Sequence, residues 1–245
     1  MLKTAHKNIL ETSTVTLTAG TEDPAYPLYR LYDRNIGRVF RPAGAATVEV
    51  KVDQGASENL AVDRLLIPHG HNLTGMTLDI KHSDDDTVYT EAVPQWTGTG
   101  GLMEKSWSPA THRYWKFIIT DPPDVPELAE LFLTETYSWE RDPARPAGPF
   151  DKVFNVENDL TAGGQERFLV HGDPRRQRLY YMPRCGEAQK GGVLDLYDGY
   201  GGSRAFWLYD HEGNWIYGRL RAPLNLKEEA HQRYSFEFDF LEVLP

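Results

Sequence analysis

The ten residues Tyr234–Val243, YSFEFDFLEV, constrain the fold more than any other stretch of the chain. Phe236, Phe238 and Phe240 fall on one face, and Glu237 and Asp239 on the other. A period of two with one greasy face marks a half-buried antiparallel strand. Upstream, Phe206–Tyr209 and Trp215–Leu220 flank the turn residues His211–Asn214, and the aromatic side chains on both arms favour cross-strand pairing. Aromatics make up 12% of the chain, beside 21 Gly and 16 Pro, a balance that suits many short strands joined by tight turns. The expected fold class is all-β.

The same alternation recurs along the N-terminal part, at Thr14–Thr18, Thr47–Val52, Val62–Pro68, Met76–His82, Thr87–Val93, Tyr114–Thr120 and Glu130–Tyr137. These strands predict a β-sandwich over residues 1–140. Arg141–Pro149, RDPARPAGP, carries three prolines and a glycine without apolar periodicity, and reads as a stiff linker. A second β-domain is expected over residues 150–245. Its further strands are Lys152–Asn158, Glu166–His171, Arg178–Pro183 and Val193–Tyr197, with a turn at Gly199–Gly202. Leu226–Gln232 is the best candidate for a short turn or helix.

Two resemblances build on these residues. The order F-W-L-Y-D, N-W-I-Y-G-R-L and Y-S-F-E-F-D-F-L-E-V over the last hundred residues resembles the ending of distal-tail and tail-tube-like proteins of long-tailed bacteriophages. That resemblance implies a small β-barrel that oligomerises into a ring. PAYPLYRLYDRNIGRVFRP resembles the entry of discoidin-like (galactose-binding-like) jelly rolls. NLAVDRLLIPHGHNLTGMTLDIKHSDDD and PELAELFL resemble the central and final strands of the jelly-roll domains appended to phage tail proteins. Together they imply a structural, non-enzymatic component of a phage tail tip, assembled in the host cytoplasm and resident in the virion. The implied partners are copies of itself (a ring of three or six), the tail tube and the tail hub, with DNA only as a passing cargo and no cofactor. The alternative is a carbohydrate-binding module that contacts a host-surface glycan.

Composition excludes some classes. A formal net charge of -10 argues against a basic nucleic-acid-binding surface. Residues 1–140 hold 12 Lys+Arg against 20 Asp+Glu, and residues 141–245 hold 14 against 16. No apolar run approaches the ~20 residues of a membrane helix, and the start MLKTAHKNILETST lacks an apolar signal-peptide core. The single Cys185 rules out an intramolecular disulfide and a cysteine-based zinc cluster.

Chemical constellations are sparse. His69 and His71 lack a third ligand at a diagnostic spacing, so they read as a polar loop. Asp84–Asp86 lacks the spacing that wraps oxygens round calcium and reads as a hairpin turn. Cys185 with His171 has no orienting third residue. Ser203 is not in a nucleophile elbow, and Gly98–Gly101 is not a phosphate loop. Arg175, Arg176 and Arg178 form the one basic cluster and read as a solvated turn. Catalytic and metal residues are therefore expected to be none. Trp96 and Trp107, flanking the glycine loop, are candidate sugar-stacking platforms, whereas Trp115 reads as core. Trp207, Tyr209, Trp215 and Tyr217 are candidates for barrel packing or a subunit interface.

Overall fold

The computed structural model describes residues 1–56, 59–140, 143–144, 151–160, 166–200, 204–210, 212–221 and 224–244. The chain divides into two compact units, Lys7–Thr136 and a second made of Met1–His6 with Tyr137–Leu244. In chain order the strands begin with β1 (Lys3–Ala5), β2 (Thr14–Ala19), β3 (Val48–Asp53), β4 (Val62–Ile67) and β5 (Thr77–Ser83). β6 (Thr90–Thr97), β7 (Met103–Ala110), β8 (Tyr114–Thr120), β9 (Phe132–Thr134) and β10 (Tyr137–Ser138) follow. The remainder are β11 (Asp151–Leu160), β12 (Glu166–Cys185), β13 (Phe206–Tyr209), β14 (Trp215–Leu220), β15 (Asn225–Ala230) and β16 (Arg233–Glu242). Two α-helices, α1 (Ile9–Thr12) and α2 (Glu187–Tyr200), and a short 3-10 helix, Leu28–Leu31, interrupt them among the described residues.

The Lys7–Thr136 unit is sandwich-like. A five-stranded antiparallel sheet, β2-β3-β8-β5-β6, contributes Val48, Val50 and Val52, Trp115, Phe117 and Ile119, and Leu78 and Ile80 to a shared core. The three-stranded sheet β7-β4-β9 adds Val62, Leu65, Ile67, Met103 and Leu133. Each of these side chains lies at an alternate position of its strand or in a fully buried run. Full burial of such a side chain contributes about 1.5–3 kcal/mol. Strict register (Val50↔Phe117↔Ile80) keeps the apolar sets in line across three strands. The sixth strand begins at Thr90 and runs to Thr97, later than the expected Thr87–Val93, because Asp85–Val88 is occupied by the turn itself. The expected Glu130–Tyr137 strand is shorter, Phe132–Thr134, with Tyr137–Ser138 pairing instead in the other unit.

The second unit is one antiparallel sheet in the order β10-β1-β13-β14-β16-β12-β11, with β15 also on β16. Phe236, Phe238 and Phe240 all face its core, as the alternation requires. Tyr180 sits directly opposite Phe238, their rings 5.0 Å apart, and Trp139 covers Phe236 and Phe238 at 5.6 and 6.1 Å. Gly218 lets Phe240 and the Leu241 carbonyl approach where a Cβ would collide with both. The hairpin β13–β14 is closed by Asp210, whose Oδ1 accepts from the Glu212 and Asn214 N–H groups at 2.9 and 2.8 Å.

Several expectations are corrected here. The described strands of this unit form an open sheet, and the expected tail-tube-like closed barrel is not seen among them. Val193–Tyr197 lies in α2 and is not a strand, and Gly199 belongs to the same helix. Val193 and Leu196 are buried three residues apart, the helical spacing, while Gly192 brings the helix against the Tyr137 ring where any side chain would clash. Leu226–Gln232 is mostly edge strand β15, exposed apart from Leu226, which packs on the second core, and held by pairing to β16. Glu166–His171 and Arg178–Pro183 belong to one strand, β12, and the intervening Gly172-Asp173-Pro174 is taken up at a register shift opposite Val153–Asn155. A proline is tolerated where the ladder is already broken. Arg175, Arg176 and Arg178 lie in that strand and not in a turn, with Arg178 buried and its Nη2 3.6 Å from Glu212 Oε1. The expected boundary after residue 140 differs at both ends, since β1 pairs with β10 and β13. Of the linker Arg141–Pro149 only Pro143 and Ala144 lie among the described residues.

Candidate functional site

Four connections of the sandwich gather at one end. These are residues 20–47 between β2 and β3, 68–76 between β4 and β5, 98–102 between β6 and β7, and 121–131 between β8 and β9. They are laced together by main-chain bonds. Phe40 and Leu128 exchange N–H···O bonds at 2.8 and 3.1 Å, Leu131 N–H donates to Leu31 O, and Asn72 N–H donates to Glu127 O at 3.2 Å. The Asn72 side chain clamps the same loop, donating to Val125 O at 2.9 Å and accepting from Glu127 N–H at 2.7 Å.

On this frame sits a polar and aromatic cluster. Arg41 Nη1 lies 3.2 Å from Glu127 Oε1, both side chains a little over one-third exposed (40% and 37%), so the pair can still reach a ligand. The Arg41 and Arg30 guanidinium carbons stand 5.6 and 5.5 Å from the centre of the half-exposed Tyr26 ring. His71 latches the glycine loop. Its Nδ1 accepts from Leu73 N–H, which leaves Nε2–H to donate to Gly101 O at 2.6 Å. Burial pushes the His71 imidazole below its ordinary pKa, with a smaller contribution from His69, so the neutral latch is the favoured form. His69 is exposed beside Gly101. The arrangement offers guanidinium donors, carboxylate and amide acceptors, an imidazole and an aromatic ring. Such a surface suits hydrogen bonding to a polyhydroxylated ligand.

Trp96 and Trp107 do not share a platform. Trp96 is paired with Leu78 near this loop end, half-buried, with Lys105 Nζ 5.3 Å from its ring centre. Trp107 lies toward the other end of the sandwich, its Nε1–H donating to Val62 O at 2.9 Å and its ring 5.8 Å from fully buried Trp115. The alternation of β6 and β7 could not reveal this, because the two strands belong to different sheets. The sequence singled out neither Tyr26 nor Arg41 as a site residue. A Tyr-Pro-rich loop with arginines on either side was the one available signal.

Comparisons with known proteins add the following. No protein-family model matches the sequence and no curated protein matches it. Among solved structures, chitosan-binding module 1 from a chitosanase/glucanase of Paenibacillus sp. IK-5 is similar at 20% identity and a TM-score of 0.44, covering 54% of this chain and 99% of that one. A CBM32 module from Clostridium perfringens, solved with GalNAc-β-1,3-galactose, is similar at 13% identity and a TM-score of 0.44, covering 54% and 99%. A Ruminococcus gnavus GH29 fucosidase is similar at 15% identity and a TM-score of 0.46 over 54% of this chain and 27% of that one. At these scores the likeness assigns neither a family nor a ligand.

The other sequence candidates are tied up in structure. Asp85 accepts from Thr87 N–H, Val88 N–H and Ser83 Oγ, and these bonds hold its carboxyl far below the usual range. Asp86 pairs with Lys51 Nζ at 2.7 Å. The acidic run therefore closes its turn. Among the described residues no group of three or more His, Cys, Asp or Glu converges to hold a metal. Cys185 is buried, with its Sγ near the Met182 and Pro183 carbonyls; the His171 side chain and Ser203 lie outside the described residues. Trp207, Trp215 and Tyr217 are buried, and Tyr209 alone of the four presents a half-exposed ring. Cross-strand ring pairs join Trp207 to Tyr217 at 5.0 Å and Tyr209 to Trp215 at 5.1 Å.

Proposed function

We propose that the Lys7–Thr136 unit is a carbohydrate-binding module that holds a sugar at its loop end. Tyr26 supplies the apolar surface, Arg41 and Glu127 the paired donor and acceptor, and His69 a flanking polar group, while Asn72 holds the loop frame. One observation carries this reading. Two loops, 20–47 and 121–131, joined by the Phe40–Leu128 bridge, bring a half-exposed aromatic ring and a half-exposed Arg–Glu pair together at one end of the sandwich. Binding on loops held by a rigid scaffold is the usual division of labour.

The test is retention on a glycan array by the full chain. Tyr26→Ala and Arg41→Ala are expected to abolish retention while Trp107→Ala, at the far end, leaves it intact. Loss with Trp107→Ala and none with Tyr26→Ala would overturn the assignment.

A second reading, a structural part of a phage tail tip, draws on the open sheet of the other unit. Among the described strands, the ten-residue β11 lies at an edge of that sheet, and an unpaired edge is what a neighbouring subunit can use. In that case the glycan-binding unit serves host contact. Light scattering across a concentration series distinguishes the two: a closed oligomer favours the tail reading, and a 27.9 kDa monomer favours a stand-alone binding module.

A further inference from the structure

We propose that Arg184 and Arg233 form a second binding site, in the C-terminal sheet, for a carboxylate or phosphate group carried on a hydroxylated small molecule. Three neighbouring strands build it. β12 runs beside β16, and β15 lies on the other edge of β16. Near the end of β12 the register jumps from Met182↔Phe236 to Cys185↔Tyr234, so Pro183 and Arg184 together oppose Ser235 alone. That is a β-bulge, a device that re-aims a side chain. Arg184 sits in it with φ 56, left-handed backbone that a residue with a Cβ rarely adopts. The β15–β16 hairpin turns through His231 and Gln232 between the paired Ala230 and Arg233, and Gln232 also has φ 56. Arg184 is thus itself held in an unfavourable backbone conformation and Arg233 directly follows another, a pattern concentrated at binding sites.

Between them lies a cavity of about 420 Å³ lined by Arg184, Glu229, Ala230 and Arg233. That volume is in the range of small-molecule pockets, ~300–1,000 Å³, and larger than a bare inorganic ion needs. Neither guanidinium has an ion-pair, hydrogen-bond or ring partner among the described residues, although Arg64, Arg113 and Arg178 of the same chain do. Glu229 does not neutralise them. Its Oε1 accepts from the Tyr181 hydroxyl at 3.2 Å, which fixes the carboxylate on the cavity wall as an acceptor. Two planar forks meet an oxyanion through paired N–H donors, while the oriented carboxylate accepts from a hydroxyl beside it. Other charged groups at this end include the exposed His231, Glu228 opposite Tyr234, Glu140 beside Gly186, and the Glu187–Tyr234–Lys190 cluster, whose members are occupied with each other.

The experiment is isothermal titration of the full chain with glucuronate, glucose 6-phosphate, glucose and inorganic phosphate. Glucuronate, glucose 6-phosphate or both are expected to bind and glucose is not; which acid binds names the oxyanion. Arg184→Ala and Arg233→Ala should each weaken binding at least tenfold, and Arg233→Lys severalfold. Added salt should weaken it further. Tyr26→Ala, in the other unit, should leave it unchanged, which separates this site from the proposed glycan site. Absence of binding by both acids at millimolar concentration overturns the proposal. So does affinity that survives both alanine substitutions in variants whose circular dichroism matches the parent.

Discussion

Glu130 lies wholly inside the sandwich unit, between the buried Ala129 and Leu131, and its carboxylate oxygens lack a well-formed hydrogen bond, the Arg34 N–H offering only a weak one. The groups that face it are Arg34 and Asp33 of the long β2–β3 connection and Glu11 of α1, with Arg34 already ion-paired to Glu11. Burial dominates. It raises the Glu130 carboxyl well above its ordinary value, against the weaker pull of Arg34 and with a small push from Asp33 and Glu11. A carboxyl that holds its proton more tightly when folded stabilises the fold fully below its unfolded pKa of about 4.3, and that contribution declines as pH rises. The decline has a limiting slope of about 1.4 kcal/mol per pH unit and stops at the folded pKa, above which the curve is flat. Glu130→Gln keeps the shape and removes the titration. The variant should therefore match the parent near pH 4 and gain on it as pH rises toward the folded pKa, above which the gap stays constant. At about 4 °C per kcal/mol for a unit this size, the gap in melting temperature should open by roughly 5 °C per pH unit. Differential scanning calorimetry of the full chain, following the sandwich transition at half-unit pH intervals, measures it. Parallel curves for the two proteins from pH 4 to 8, or a Gln variant that loses stability throughout, would refute the reasoning, because either means that the carboxylate is ionised and satisfied in the fold.

Two further outcomes follow from single contacts. Phe238→Ala removes a ring stacked on Tyr180 and Trp139 in the second core and should cost about 3–5 kcal/mol, read as a lowered urea midpoint for that unit with the sandwich transition unmoved. Asp53 is bound by Arg113 at 2.8 and 3.1 Å, and that pairing, with the Gly55 N–H, holds its carboxyl below the usual range. Its stabilising effect is present above about pH 3.9 and disappears as pH falls through the lower folded value; the pair is partly exposed, so Asp53→Asn should cost no more than about 1 kcal/mol at pH 7. A larger loss, or one that persists at pH 2, would contradict this.

The strands were legible wherever alternation met strict register. Phe236, Phe238 and Phe240 point inward because a pleated strand gives them no other choice, and Val48, Val50 and Val52 do the same in the sandwich. The elements misread were those decided by a distant partner. Lys227–Ala230 carries strong helix formers, yet it extends because β16 offers it an open ladder. Gly191 and Gly192 disfavour helix locally, yet α2 forms because Gly192 is where the Tyr137 ring, more than fifty positions earlier, needs room.

The candidate sites obey the same rule. Trp96 and Trp107 are conspicuous in a sequence because tryptophan is rare, but a ring is available to a ligand only if nothing in the fold has claimed it. Trp107 is claimed by Trp115 and Val62, whereas Trp96 stays half-exposed with Lys105 beside its ring, as Arg30 and Arg41 stand beside that of Tyr26. Tyr26, Arg41 and Glu127 are ordinary residues separated by up to 101 positions. They meet because the Phe40–Leu128 bridge zips two loops together across the sandwich end. Arg184 and Arg233 are likewise brought together only by β12–β16 pairing and a bulge. A site whose members are contributed by separate loops leaves no local pattern, so its chemistry becomes visible only once long-range pairing is fixed.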